Sequence, residues 1–120
     1  TFDMSDPLVI TARNWREYQT IINAGAYTAV DLAETPEGRH DAWQSNATAL
    51  SYLAQIATAN SLTLVHVSTD YVFDGTNPNH SEGEAFSPIN VYGQTKAAGD
   101  LAVSTTPKHY IARTSWVIGD

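Results

Sequence analysis

Tyr92-Gly93-Gln94-Thr95-Lys96 sets a tyrosine and a lysine four residues apart. On a helix, that spacing brings both side chains to one face, one turn apart. An ammonium beside a phenol lowers the phenol's pKa from its ordinary value of about 10. A phenol tuned in this way can hand over a proton near neutral pH. Upstream, Ser68-Thr69-Asp70-Tyr71-Val72-Phe73-Asp74-Gly75 follows directly on an apolar run. The hydroxyl of Thr69 could there help to hold a carbonyl oxygen. Acid, cation and hydroxyl together are the parts needed to reduce a ketone with a borrowed hydride. Taken alone, Tyr-x-x-x-Lys also describes an exposed helical pair, so the elements that carry it decide.

Those elements alternate. Asp6-Pro7 opens a first helix, with Ser5 or Asp6 as cap and Pro7 in the first turn. Leu8, Ala12 and Trp15 recur at helical spacing, although the β-branched Val9, Ile10 and Thr11 weaken it. Thr20-Ile21-Ile22-Asn23 predicts a short buried strand, closed by the small-residue turn Ala24-Gly25-Ala26. A loop is expected at Thr35-Pro36-Glu37-Gly38, and a long amphipathic helix from about Asp41 to Asn60. Trp43, Ala47, Leu50, Ala54 and Ala57 share its apolar face. Trp15 and Trp43 are expected to pack against the sheet.

Leu62 to Val67 predicts the next strand, and Asp74 to Asn79 is dense in turn formers. Asn90 can cap the helix that carries Tyr92 and Lys96, Pro107 ends it, and His109 to Arg113 predicts a third strand. Helix and strand in alternation argue for an α/β domain with a parallel sheet. Right-handed crossovers are expected to set helices on both faces.

The composition fits a small globular unit: 120 residues, 42% hydrophobic and 16% charged. A formal net charge of -7 disfavours nonspecific binding to nucleic acid or to acidic membrane surfaces. There is no stretch of 18 apolar residues, so no spanning helix is expected. With no cysteine there are no disulfides and no thiolate metal sites, which is compatible with a cytoplasmic protein. His40, His66, His80 and His109 show no metal-ligand spacing and are expected to be structural or surface residues.

Four blocks taken together are more specific than any one. They are Asn23-Ala24-Gly25-Ala26-Tyr27-Thr28-Ala29-Val30-Asp31, the Ser68 to Gly75 block, Asn90-Val91 with the Tyr92 to Lys96 block, and Arg113-Thr114-Ser115-Trp116-Val117. In order and approximate spacing they resemble the extended short-chain dehydrogenases/reductases, and within them the branch of dTDP-4-dehydrorhamnose reductases. The likeness spans nearly the whole chain. It implies a partial Rossmann-like, doubly wound parallel sheet lacking the first strands and the Gly-rich dinucleotide turn. Residues 1–120 are then expected to be the central part of an NAD(P)-binding domain within a longer enzyme, inactive by themselves, with an unpaired sheet edge that favours self-association. Gly25 stands where the family usually has alanine; glycine is smaller and more permissive, so cofactor contact is expected to be retained.

The resemblance implies roles. Tyr92 donates a proton to the sugar's C4 carbonyl oxygen, Thr69 hydrogen-bonds the same oxygen, and Lys96 holds the nicotinamide ribose. Ala26, Tyr27 and Thr28 line the cofactor, NADPH or NADH, while Asp3 and Met4 meet its adenine side. Asp70 and Trp116, with Thr69, contact a nucleotide-sugar substrate, and Asn46 stands near the active site. Bland readings stay open beside these: a plain strand-to-helix connection at Ala26 to Thr28, a surface loop at Asp3 and Met4, core packing for Trp116, a solvated amide for Asn46. Homodimers are an implied assembly. Some members share Mg2+ between subunits through acidic residues at positions that lie outside this chain, so no metal ligand is assigned here.

Two other functions fit the same motifs. The 4,6-dehydratase pattern follows the threonine with Asp-Glu; here Tyr71 follows Asp70, the second carboxyl is absent, and simple reduction is favoured over dehydration or epimerisation. A non-catalytic regulatory subunit, like the β-subunit of methionine adenosyltransferase, can keep the same blocks.

Overall fold

The computed structural model describes residues 3, 4 and 6–117. Asp6 caps the first helix, α1 (Pro7–Thr11), by accepting from the Leu8 N–H at 2.9 Å. Ser5, the other candidate cap, lies outside the described residues. The β-branched run ends α1 after five residues, and Trp15 instead opens a short 3-10 turn, Trp15–Glu17. Trp15 still packs on the core, and its Nε1 donates to the Ile10 carbonyl at 2.7 Å.

Strand β1 spans Thr20–Asn23, as its apolar run predicts. It is not buried throughout: Ile21 and Asn23 face inward, whereas Ile22 is 71% exposed. Strand β2 (Thr63–Thr69) pairs in parallel with β1 on one side and with β3 (His109–Thr114) on the other. The order β1-β2-β3 leaves β1 and β3 as edges. Because the order runs in one direction without reversal, right-handed connections carry both long helices to the same face. The expectation of helices on both faces is thus not met among the described residues. The inner face, Ile21, Leu64 and Ile111, packs against Leu50, Leu53 and Val103. On the outer face Ile22 and Tyr110 are exposed.

The segment between β1 and β2 differs from its prediction at its start. Thr35 is a cap rather than part of a loop: its hydroxyl accepts from the Gly38 N–H at 3.1 Å, and Pro36 takes the first position of α2 (Pro36–Trp43). The chain then makes a π turn, Gln44–Thr48, and continues as α3 (Ala49–Ala59). The wider turn breaks the helical phase. Ala47, Leu50, Ala54 and Ala57 are buried as predicted, but Trp43, on the far side of the turn, is 40% exposed.

The helix with the tyrosine and lysine is α4 (Val91–Ser104), capped by Asn90, whose side chain accepts from the Gly93 N–H at 2.7 Å. It lies unusually close to its neighbours. A Cβ built on Gly99 would fall 2.2 Å from the Asn46 carbonyl oxygen, and one on Gly93 2.2 Å from the Tyr71 carbonyl oxygen. Among the described residues no helix is long and apolar enough to cross a membrane.

The Gly99 contact yields a prediction of sign. In an open helix Gly→Ala stabilises by roughly 0.5–1 kcal/mol. Here Gly99→Ala should destabilise the full-length protein by about 1–3 kcal/mol, because helix and π turn must separate. Urea unfolding at neutral pH measures it, and a stabilised variant would contradict the close approach.

Candidate functional site

The three strands deliver their carboxyl ends, Asn23, Thr69 and Thr114, to one side of the sheet, where ligands of open α/β folds bind. A cavity of about 540 Å³ opens there, lined by Thr28, Thr69, Tyr71, Tyr92, Ser115 and Trp116 among others. Strand β2 runs two residues beyond its apolar core, which brings Thr69 to the cavity.

Thr69 is buried beside Tyr92 in the cavity lining, and its hydroxyl donates to the Asp70 carboxylate at 3.3 Å. The same hydroxyl accepts from the Tyr71 N–H at 3.2 Å and so caps the 3-10 turn Asp70–Val72. The Tyr71 ring meets the Tyr92 ring edge-on, with centroids 5.7 Å apart. Burial raises the Tyr92 pKa; the Thr69 hydroxyl pulls the other way, and Tyr71 and Asp70 add to the rise. The phenol is therefore held protonated, not lowered by its lysine as the spacing alone suggests.

The reason is the direction of Lys96. Its side chain is 2% exposed, and Nζ donates to the Val67 carbonyl at 3.0 Å, under the end of β2. It lies 3.5 Å from Nε2 of His66, a residue with no exposure. Burial lowers the Lys96 pKa, and Asp100 opposes the shift. Burial, then the Lys96 charge, drives the His66 imidazole from 6.5 down to about 3, so it stays neutral.

Asn46 sits in the π turn and is 1% exposed. Its Oδ1 accepts from the Tyr27 N–H at 2.8 Å; its Nδ2 donates to the Tyr27 carbonyl at 3.1 Å and to the Thr95 hydroxyl at 3.0 Å. Thr95 donates in turn to the Tyr92 carbonyl at 2.8 Å. The bland reading of Asn46 as a solvated amide is thereby replaced. It joins the turn after β1 to the helix of the candidate acid.

The other candidates fall at varied distances from this centre. Thr28 and the 85% exposed Trp116 line the cavity, so Trp116 is not core. Tyr27 is fixed by Asn46, and Ala26 is exposed in the same turn. Met4 lies beside β1 in a separate cavity with Trp15 and Leu53, while Asp3 is exposed. Asp70 faces two neighbouring cavities, one with Arg113 and His80, the other with Tyr71 and Asn90. Thr95, Asp100 and Arg113 escaped the sequence reading. Asp100 follows Lys96 by four residues, a helical spacing that could have drawn attention to it. Among the described residues no group of three His, Asp or Glu could hold a metal ion.

A parallel sheet with hydroxyl and phenol side chains gathered at its carboxyl ends defines a Rossmann-like α/β domain. The family model described as the RmlD substrate binding domain matches residues 1–120, and the chain belongs to that family. It is 47% identical over 120 residues to the dTDP-4-dehydrorhamnose reductase of Salmonella typhimurium, covering 96% of this chain and 39% of that protein. The crystal structure of dTDP-4-dehydrorhamnose reductase from Bacillus anthracis in complex with NADP superposes with a TM-score of 0.89 at 35% identity, covering 99% of this chain and 43% of that one. A reductase of the same name from Clostridium acetobutylicum gives 0.89 at 36%, again covering 99% and 43%. The chain thus spans about two fifths of the length of the relatives it matches.

The buried His66 makes stability depend on pH. Its folded pKa, about 3, lies below the ordinary 6.5, so the unfolded state takes up the proton first. This stability is present above pH 6.5 and is lost as pH falls toward 3, by at most about 1.4 kcal/mol per pH unit. Urea unfolding of the full-length protein between pH 7 and pH 4 should show a steep loss that His66→Gln makes shallower. Equal slopes in the two proteins would contradict the assignment.

Proposed function

We propose that the full-length protein is a cytoplasmic NAD(P)H-dependent dTDP-4-dehydrorhamnose reductase. It would reduce the 4-keto group of dTDP-4-dehydro-L-rhamnose in the synthesis of dTDP-L-rhamnose. The observation that carries this reading is the gathering of Thr69, Tyr92 and Trp116 in one cavity at the strands' carboxyl ends. The names of the relatives and the NADP in the Bacillus anthracis structure support it.

The donor set suits a nicotinamide beside a sugar ketone: two hydroxyl donors, an exposed indole and a cavity bounded by the turn after β1. A nicotinamide, when bound, would supply the hydride. Tyr92, held protonated by burial, gives its proton to the oxygen that becomes the C4 hydroxyl. Thr69 donates to that same oxygen and fixes the angle at which the phenol meets it. Lys96 has three N–H donors, one on Val67, with His66 Nε2 also 3.5 Å away, and its remaining capacity would hold the ribose. Thr28 and the fixed backbone of Tyr27 hold the cofactor side, and Trp116 and Asp70 the sugar-nucleotide side.

Turnover followed by nicotinamide absorbance with the 4-keto sugar nucleotide tests the reading. Tyr92→Phe should lower kcat about 10²- to 10⁴-fold with the circular dichroism spectrum preserved. Unchanged turnover would remove Tyr92 as the proton donor. A wild-type protein that binds NAD(P)H but reduces no 4-keto sugar would favour a regulatory, binding role instead.

A further inference from the structure

We infer that Asp100 is a positioning residue for Lys96: fixed by Arg113, its carboxylate is the counter-charge that keeps the buried ammonium protonated one turn beyond Tyr92. Tyr92, Lys96 and Asp100 follow one another at four-residue intervals along α4 and so share a face. Lys96 is 2% exposed and Asp100 1%. An ammonium taken so far from water loses its proton unless an anion compensates it.

Asp100 supplies that anion from the next turn. Its Oδ2 accepts from Nε of Arg113 on β3 at 3.0 Å. A guanidinium keeps its charge at any working pH, so this contact favours the ionised carboxylate and sets its direction. The second oxygen, Oδ1, has no hydrogen-bond partner and lies 3.6 Å from Nε2 of His66. Lys96 Nζ lies 3.5 Å from the same nitrogen. One neutral imidazole edge therefore stands beside both charges. Burial raises the Asp100 pKa, opposed by Ser68, Arg113 and Lys96.

Other charges near α4 are occupied elsewhere. Glu34 accepts from the Val91 N–H at the start of the helix, and Asp70 and Tyr71 act on Tyr92. Among the described residues, Asp100 is the anion that acts on Lys96. The catalytic meaning of this arrangement rests on the reductase reading; the arrangement of Lys96 and Asp100 about His66 does not.

The full-length protein labelled with 13Cε-lysine gives a direct readout, with the Lys96 resonance assigned through Lys96→Arg. In wild type the Lys96 midpoint should lie below the ordinary lysine value of about 10.4, and Asp100→Asn should lower it further by about one unit or more. Asp100→Glu should recover most of the loss. In the reduction assay the cofactor KM should rise at the pH where Lys96 discharges. A folded Asp100→Asn protein with an unmoved Lys96 midpoint overturns the inference, even if its activity falls, because the role is then merely structural. Should Asp100→Asn fail to fold, Asp100→Asn with Arg113→Gln removes both charges and is judged by the same midpoint. A wild-type protein that reduces no 4-keto sugar defeats the proposed function, while the titration still decides this point.

Discussion

The side-chain amide of Asn46 makes hydrogen bonds to two elements at once, the backbone of Tyr27 after β1 and the hydroxyl of Thr95 on α4. The rest of the site depends on this bridge. Tyr27 starts the turn that carries Thr28 to the cavity, and Thr95 bonds the carbonyl of Tyr92. A regular α-helix could not serve as well: the π turn of Gln44–Thr48 leaves backbone groups out of the usual ladder and re-aims the side chain. The same turn lets the Asn46 carbonyl come so near α4 that only glycine fits at position 99. The turn after β1 and the helix that carries Tyr92 are thus set by one buried amide, whose donors and acceptor are all used.

Below that bridge the sheet hides an uncommon amount of polarity. Asn23, His66, Lys96 and Asp100 are each at most 2% exposed. Groups of this kind are costly to bury unless they satisfy one another. Here they do so in part: the Asn23 amide on Nδ1 of His66 at 2.9 Å, Lys96 on the Val67 carbonyl and Asp100 on Arg113, while Asn23 Oδ1 and Asp100 Oδ1 have no hydrogen-bond partner. Arg113 also lies over the rings of Phe73 and Phe86, 5.6 and 5.1 Å from their centroids, so the loop after β2 is tied to the same pair. A hydrophobic core would be simpler. The charged one makes the position of α4 on the sheet dependent on specific partners rather than on volume alone.

Local signals were legible in the sequence where local physics settles them. The apolar run of β1, the Asn90 cap and the run into β3 each depend on residues close in the chain, and these elements lie where the sequence predicts. The gathering of Thr28, Thr69, Tyr92 and Trp116 was legible too, since all follow the carboxyl end of a strand or open the helix after it. Trp43 was misplaced because one wide turn shifts the phase of everything before it. Thr35 and Pro36 look like a loop by composition, yet a threonine followed by proline is also a helix start. The contacts among His66, Lys96, Asp100 and Arg113 cross β2, α4 and β3. No spacing along the chain reports contacts that tertiary packing alone creates.

The raised pKa of Tyr92 changes how the tyrosine–lysine pair is understood. A neighbouring ammonium would favour the phenolate, but an acid catalyst must hold its proton until the carbonyl oxygen asks for it. In this site burial, edge-on contact with Tyr71 and the distant aim of Lys96 all keep the phenol neutral. Thr69 is the one neighbour that eases loss of the proton, because its hydroxyl can bond the oxygen left behind. In the proposed reaction, release would then be coupled to the residue that also meets the substrate oxygen, and Lys96 would be left to hold its ligand, its charge supported by Asp100.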